Sequence, residues 1–374
     1  QGGIDWIHVR HEEAAAFAAS AEAQLTGKLA VCAGSCGPGN LHLINGLYDA
    51  NRTGAPVLAI ASHIPSVQIG STYFQETHPD RIFEECSVYN ELISSAAQSP
   101  RTVNSAIRHA VGLGGVAVIT LPGDITDLKA VEHVPTYAPA RPATLAPNAT
   151  DIEEAATLLN KADKVAIFAG AGVEGAHDEV IALADALKAP IGHSLRGKHF
   201  IQYDNPFDVG MTGLLGYGAA AEGMNDADVL ILLGTDFPYD QFLPDTPTIQ
   251  VDTHAEKLGR RTDVGLAIHA QVKPFIEALL PHLREDRSDS FLKSKIKKHS
   301  EIMHAPVGAY TRNVEKMRPI HPEYAAHLLN ETAAKDAIFT ADTGMCNVWT
   351  ARYIDPLGTR RLIGSLLHGS MANA

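Results

Sequence analysis

One alternation constrains this chain more than any other feature. Fully apolar runs of strand length are separated by amphipathic stretches and glycine-bearing turns. "LAVCAG", "PVLAIAS" and "GVAVITLPGD" occur in the first part, and "KVAIFAG", "APIGHSL", "DVLILLGTD" and "PTIQVD" in the second. A short run that is apolar at every position suits a strand buried on both faces, and helical patterns between such runs mark βαβ units. The fold class is therefore α/β, with three-layer parallel-sheet domains. "IDWIHV" is predicted as a further strand, with helices over Glu12 to Leu25 and Leu41 to Ala50. Val134 to Pro147 carries four prolines and predicts a stiff, extended linker. Thr150 and Glu153 form a candidate capping box just behind it. "IHPEYAAHLLNE", "AIFTAD" and "RRLIGS" predict the start of a third α/β unit. The expected domains are 1–133, 151–283 and 319–374, joined by the linker 134–150 and a charged helical connector 284–318.

Composition removes several functions. A formal net charge of −13 disfavours a nucleic-acid groove. The one basic cluster, Lys293, Lys295, Lys297 and Lys298, reads as a solvated helix face. Cys32, Cys36, Cys86 and Cys346 have no CxxC pairing and no zinc spacing, so reduced thiols in a cytoplasmic protein are expected. No apolar run reaches the roughly 20 residues of a membrane span. The chain has no initiator Met and stops at "HGSMANA", where a helix looks about to start; a piece of a longer polypeptide is expected.

The sites follow from the turns. In "RHEEAAAFAAS" the "HEEAA" lacks the second His of a zinc motif, and the helix dipole accounts for two acids in a first turn. Nearby, "GSCGPGNLHLINGL" places Gly37-Pro38-Gly39 between a buried strand and a helix N-terminus, where backbone N–H groups can face a ligand. In a parallel sheet both loops emerge at the carboxyl edge, so Glu12 and the GPG loop are expected to line one crevice. Further on, Gly170, Gly172 and Gly175 fit GxGxxG after a strand. Asp185 stands near the distance of the usual ribose ligand but within a helical pattern, which argues against NAD. His78 is a lone loop histidine and carries little by itself.

"RHEEAAAFAA", "CAGSCGPGNLHLINGLYDA", "PVLAIASHIP" and "IGSTYFQETHP" resemble the pyrimidine-binding domain of thiamine-diphosphate enzymes. Within that superfamily the chain is most similar to pyruvate oxidases and quinone-linked pyruvate dehydrogenases. The resemblance implies an N-terminally incomplete pyrimidine-binding domain, a central Rossmann-like FAD domain and the beginning of a diphosphate-binding domain. It implies that Glu12 hydrogen-bonds N1′ of the aminopyrimidine, from an apolar pocket that raises its pKa so that it can share a proton. Glu13 is left with the dipole role.

The same resemblance implies that Phe74 and Gln75 flank pyruvate, although a surface loop with one core aromatic would also account for them. Gly37, Pro38, Gly39, Thr343, Gly344, Gly369, Ser370 and Met371 would line thiamine diphosphate. FAD would be held by Gly170 and Gly172 with "LRGK", "GMTGLLG", "GTDFPY" and "QVDTH". Thr212, Gly213, Leu214 and Leu215, together with Thr235, Asp236, Phe237, Pro238 and Tyr239, would contact the flavin nucleotide. Asp252 would take its ribose or adenine, and Arg196 and Lys198 would offset the diphosphate. His269-Ala270 replaces the Gly-Asp of many relatives, which leaves one adenine-side contact unsupported.

The family's GDG…N magnesium segment has no counterpart here, so no metal ligand is assigned in this chain. Mg²⁺ and tight thiamine-diphosphate binding would need residues beyond Ala374. The implied activity is oxidation of pyruvate to acetate and CO₂, with electrons passing through FAD to a quinone. Family members are homotetramers with active sites between subunits. The quinone-linked ones sit peripherally on the inner face of the cell membrane through a C-terminal segment not contained in this sequence. The alternatives are an acetolactate synthase-like carboligase, a phosphate- and O₂-dependent oxidase, or a non-catalytic nucleotide-binding module.

Overall fold

In the computed structural model, residues 3–131 and 143–371 are described. They fall into two compact units. The first is Gln1–Arg141 with Thr340–Thr343 and Ile363–Ala374; the second is Pro142–Phe339 with Gly344–Leu362.

The first unit opens with α1 (Glu12–Thr26), β1 (Ala30–Gly34), α2 (Pro38–Thr53) and β2 (Val57–His63). Then come α3 (Pro79–Ile82), β3 (Tyr89–Leu92), α4 (Ser99–Leu113), β4 (Val116–Pro122) and the short α5 (Gly123–Thr126). Its sheet has the order β1-β2-β4-β3, and every pairing is parallel. Alternate residues of the strands face opposite layers. Val57, Ala59, Ala61, Val116 and Val118 pack under α1 and α2 with Leu43 and Leu47, while Leu58, Ala117 and Ile119 pack under α4 with Ala106 and Ala110. Burying each leucine contributes about 1.5–3 kcal/mol.

The alanine run of α1 has a packing cause. A Cβ built on Gly46 of α2 would lie 2.5 Å from Ala16 Cβ and 2.8 Å from Phe17 N. Only small residues on both helices permit so close an approach.

The second unit contains α6 (Ala149–Lys161), β5 (Val165–Ala169), α7 (His177–Leu187), β6 (Ile191–His193), α8 (Lys198–Ile201), β7 (Asp208–Met211) and β8 (Tyr217–Gly218). It continues with α9 (Ala220–Asn225), β9 (Val229–Leu233), β10 (Thr248–Asp252), β11 (Leu266–His269), α10 (Val272–Leu279) and α11 (Ser290–Ile302). The sheet order is β11-β10-β9-β5-β6-β7-β8, parallel except for the β7–β8 pair. Chain order runs one way from β5 to β7 and the other way from β9 to β11. This is a doubly wound sheet with its switch point between β5 and β9. One face packs on α6, α7 and α10; the other packs on Met224 of α9 and Phe291 of α11. The α/β three-layer class is what both units have.

After the connector come α12 (Pro322–Thr332), β12 (Ile338–Thr340), α13 (Met345–Tyr353) and β13 (Arg361–Ile363), with β12 and β13 paired. The 319–374 stretch forms no unit of its own but is divided between the two. Two strands of three residues enclose too little apolar surface for a separate core.

Several expectations need correction. "IDWIHV" is not a strand: residues 4–9 carry no ladder, and Ile4, Trp6, Ile7 and Val9 are exposed. A strand pattern without a neighbouring strand has nothing to satisfy its backbone. The capping box sits two residues earlier than Thr150 and Glu153. There the Asp151 carboxylate accepts from the Asn148 side-chain amide at 3.0 Å and from its backbone N–H at 3.4 Å. Of the proline-rich linker, 134–142 lies outside the described residues. Its far end is pinned, because Leu145 exchanges hydrogen bonds with Gln271 at the start of α10. Lys293, Lys297 and Lys298 are solvated, but Lys295 is buried, with its ammonium on Glu222 of α9 and Asp226 at its C-terminal cap. The four cysteines form no disulfide. Among the described residues, no helix is long and apolar enough to cross a membrane.

Candidate active site

Two helix N-termini of the first unit build the site. His11 caps α1 by accepting the Glu13 N–H on Nδ1, which leaves Glu12 in the first turn. Gly37, at φ 64°, turns the chain out of β1, and Pro38 opens α2. The preset φ of proline suits a first helical position, where its missing N–H is no loss. Gly39 follows. A Cβ there would meet Ser35 Oγ at 2.3 Å and Glu12 Oε1 at 2.9 Å. The space of the absent side chain therefore admits a carboxylate, and Glu12 lies against the GPG loop.

The electrostatics of Glu12 differ from the expectation. Its side chain is 29 % exposed, with Oε2 lying 3.1 Å from His42 Nδ1. His42 in turn stacks on His11 at 4.3 Å. The His42 hydrogen bond, followed by one from the Glu12 backbone, holds the carboxyl below its ordinary range, and burial opposes them only in part. A raised pKa needs an apolar pocket; here an imidazole occupies that place.

The Ser71–Glu76 segment meets the GPG loop through Gln75. The absent Cβ of Gly37 would lie 2.8 Å from Gln75 Cβ, and the Cys36 thiol is 3.4 Å from Gln75 Oε1. Thr72 and Gln75 both have φ 63°. Such left-handed backbone costs a non-glycine residue about 1–2 kcal/mol, so the surroundings must hold it. Phe74 projects outward and is 78 % exposed. His78 precedes α3 and caps it with no side-chain bond.

Glu13 does more than complement a dipole. Its carboxylate accepts from the Asn45 amide of α2, and the same amide donates to Ser370 Oγ at 3.0 Å. His368 Nε2 lies 2.7 Å from Asn45 Oδ1, and its ring stacks on Tyr48. Asn45 thus ties the segment carrying Gly369, Ser370 and Met371 to α2. Thr343 joins them by donating its N–H to the Ser370 carbonyl at 3.3 Å. Met371 is exposed, and Gly369 has φ 78°. Gly344, with φ 139°, opens α13 in the second unit. Asn45, His42 and His368 all lie in quoted motifs. Their contacts span 30 to 325 residues and have no local sequence signal.

In the second unit the expected flavin segments lie at the carboxyl edge of the doubly wound sheet. Gly213, with φ 102°, packs its Cα face on the Phe237 ring, 2.9 Å from a built Cβ. This brings 212–215 and 235–239 together. Thr212 and Thr235 are buried there and Leu214 is exposed, while Phe237 stands edge-on to Phe168 and Tyr239. Pro238 is exposed beside them. Asp236 is paired with Arg260 and Arg261, and Asp252, at the end of β10, accepts the His254 N–H at 2.9 Å.

Two further expectations change. The Gly170 and Gly172 N–H groups, donors a phosphate would use, are already donated to Leu233 and Gly234 carbonyls at 2.9 Å. Cβ atoms on these glycines would meet Gly234 at 2.3 and 2.6 Å. They pack loop on loop at the switch point and form no phosphate cradle. Gly175 has open space around it, and Asp185 pairs with Lys188 on α7. Lys198 points inward, bonding Gln202 and Tyr217, and burial pushes it down to about 8. It does not present its charge outward, unlike a lysine that offsets a diphosphate. Arg196 lies two residues before it on the same turn. His269 bonds the Thr253 carbonyl, and Ala270 is fully buried.

Both units are doubly covered α/β sheets, and in the first a carboxylate is set against a glycine turn at the carboxyl edge, where such folds place ligand sites. The comparisons make the class specific. Residues 1–82 match the thiamine pyrophosphate enzyme N-terminal TPP binding domain, and residues 152–279 match the central domain of the same enzymes. The chain is 54 % identical over 295 residues to an uncharacterized 42.6 kDa protein of Pseudomonas amyloderamosa, covering 78 % of this chain and 74 % of that one. It is 37 % identical to the putative thiamine pyrophosphate-containing protein YdaP of Bacillus subtilis, over 94 % of this chain and 61 % of that one. It is 29 % identical to pyruvate oxidase of Lactiplantibacillus plantarum, over 98 % of this chain and 62 % of the oxidase. Acetolactate synthases are also among its relatives. This chain belongs to the thiamine pyrophosphate enzyme family.

Proposed function

We propose that this chain supplies the pyrimidine-side and flavin-side parts of an enzyme that oxidises pyruvate to acetate and CO₂. Electrons would pass through FAD to a quinone. The observation that carries this reading is the Glu12 carboxylate lodged against Gly39 with Gln75 closing on Gly37. Similarity to a pyruvate oxidase supports the substrate. The Gly39 cradle and the acceptor beside it fit an aminopyrimidine, and the turn at Gly213 and Phe237 fits a flat ring system that needs close backbone approach. Thiamine diphosphate, when bound, supplies the electron sink for decarboxylation, and FAD takes the electron pair.

The chain's own residues would do the rest. Glu12 would hold and release a proton at N1′ of the aminopyrimidine. His42 would have to yield its hydrogen bond to Glu12 as that proton is shared, because its bond keeps the carboxylate ionised. Gln75 would orient the pyruvate carboxylate through its amide, with Phe74 beside it. Asn45 would hold Ser370 and its neighbours at the cofactor edge. Magnesium, a homotetramer with sites between subunits and a peripheral membrane location belong to the same proposal.

Glu12→Gln tests the reading. Pyruvate-dependent reduction of a quinone dye by the holoenzyme should fall about 10²–10⁴-fold, with flavin content unchanged. Normal turnover in that variant would return Glu12 to the dipole role. Acetolactate formation by the wild type without flavin reduction would make it a carboligase instead.

A further inference from the structure

The Ser71–Glu76 loop holds unfavourable backbone at the point where it touches the GPG turn, and one side chain closes it. Glu76 Oε1 accepts the Gly70 N–H, Oε2 accepts the Tyr73 N–H at 3.0 Å, and the Glu76 N–H donates to the Tyr73 carbonyl at 2.9 Å. Gly70 at φ 89° and Thr72 at φ 63° lie between the two anchored amides, and Gln75 at φ 63° lies just after them. The carboxylate therefore sits on the concave side of its own loop, each oxygen taking a different amide. Only an ionised carboxylate can do this, since an amide would turn an NH₂ toward one of the two N–H groups. Those bonds hold the Glu76 carboxyl below its ordinary range, with the Gly70 amide first and His78 adding a smaller pull. The titratable groups near it besides His78 include His63, at the end of β2, which burial lowers, and Asp80 of α3.

We propose that Glu76 is a positioning residue. Its carboxylate clamps the loop so that the left-handed Gln75 is pressed on Gly37 and its amide is presented at Cys36. This rests on the reading of Phe74 and Gln75 as substrate-side groups. Glu76 bonds amides of its own loop, and in this role it acts through Gln75.

The test is Glu76→Gln in the holoenzyme, with two readouts. The first is the rate at which iodoacetamide alkylates Cys36, followed by peptide mass spectrometry with Cys346 as internal reference. The second is the split between KM for pyruvate and kcat. Loss of one charge-assisted hydrogen bond should raise both the Cys36 rate and KM about tenfold, leaving Cys346 and flavin content unchanged. Glu76→Asp, which keeps the charge on a shorter arm, should fall between the two. An unchanged Cys36 rate overturns the proposal, and so does faster alkylation with an unaltered KM in an active enzyme. Faster Cys36 alkylation in a protein whose wild type does not turn over pyruvate supports the clamp and sinks the substrate reading alone.

Discussion

Both sheets carry glycine turns at their carboxyl edges, and the two use them in opposite ways. In the first unit the missing side chains of Gly37 and Gly39 are filled by Gln75, Ser35 and Glu12. At Gly39 these are side-chain atoms of Ser35 and Glu12, which can shift, whereas at Gly37 they are the Cβ and backbone of Gln75. In the second unit Gly170, Gly172 and Gly234 meet backbone to backbone, and their N–H groups are already donated. That turn is shut. A GxGxxG spacing therefore records close approach of backbone to something, and whether that is a phosphate or another loop is settled by where the N–H groups go.

Gly234→Ala should break the contrast most strongly. Gly234 has φ 56°, and its Cβ would meet Gly172 backbone atoms at 2.4 to 2.9 Å. Overpacking with no flexible neighbour costs about 3 kcal/mol. A urea unfolding midpoint equal to wild type would show that the two loops can part.

Acid comes second. His193 and His199 of the second unit are pushed down to about 4, chiefly by burial; Asp208 opposes this at His193, and Arg361 and Arg196 add to it at His199. Their folded values lie below the unfolded one, so the folded state binds fewer protons. The stability they confer is complete above about pH 6.5 and drains away toward pH 4, roughly 3 kcal/mol for each histidine. In the first unit His63 is lowered in the same direction by burial, one group against two. Melting temperature against pH should therefore fall in this window, and His193→Gln should flatten the fall. An equal slope in that variant would place the effect elsewhere.

Gly39→Ala should do least to stability, below about 1 kcal/mol, because its Cβ meets side-chain atoms of Ser35 and Glu12, which can shift. Turnover should nevertheless drop about tenfold as the carboxylate is displaced. A melting temperature that falls with the activity would mean the first turn is as rigid as the second.

What could be read in advance follows burial. β1, β2, β4, β5, β9 and β10 are each buried at most positions, so their apolar runs stand out without any alignment. β3, "YNEL", is a half-exposed edge strand, and β7 and β8 are short and glycine-bearing; none presents a pattern. "IDWIHV" presents one and lacks a partner. At the site, the GPG turn is legible because it follows a buried strand, but the strand expected before Glu12 is absent, and the packing of α1 on α2 brings Glu12 to the turn. The charge state of Glu12 was not legible, since His42 reaches it only through the way α1 and α2 pack. Glu13 was misjudged for the same reason: Asn45 is 32 residues away and comes into reach only through that packing. Lys295 looked like one of four surface charges until α9 and its cap supplied two carboxylates.

The alanines of α1 and Gly46 of α2 hold no chemistry, yet they act as a gauge. The close approach of the two helices at Ala16 and Gly46 sets how far Glu12 stands from Gly39 and His42. Any residue swap along this seam would retune the carboxylate without touching it. Variation at these plain positions is therefore a means by which related chains could set the acidity of the same glutamate.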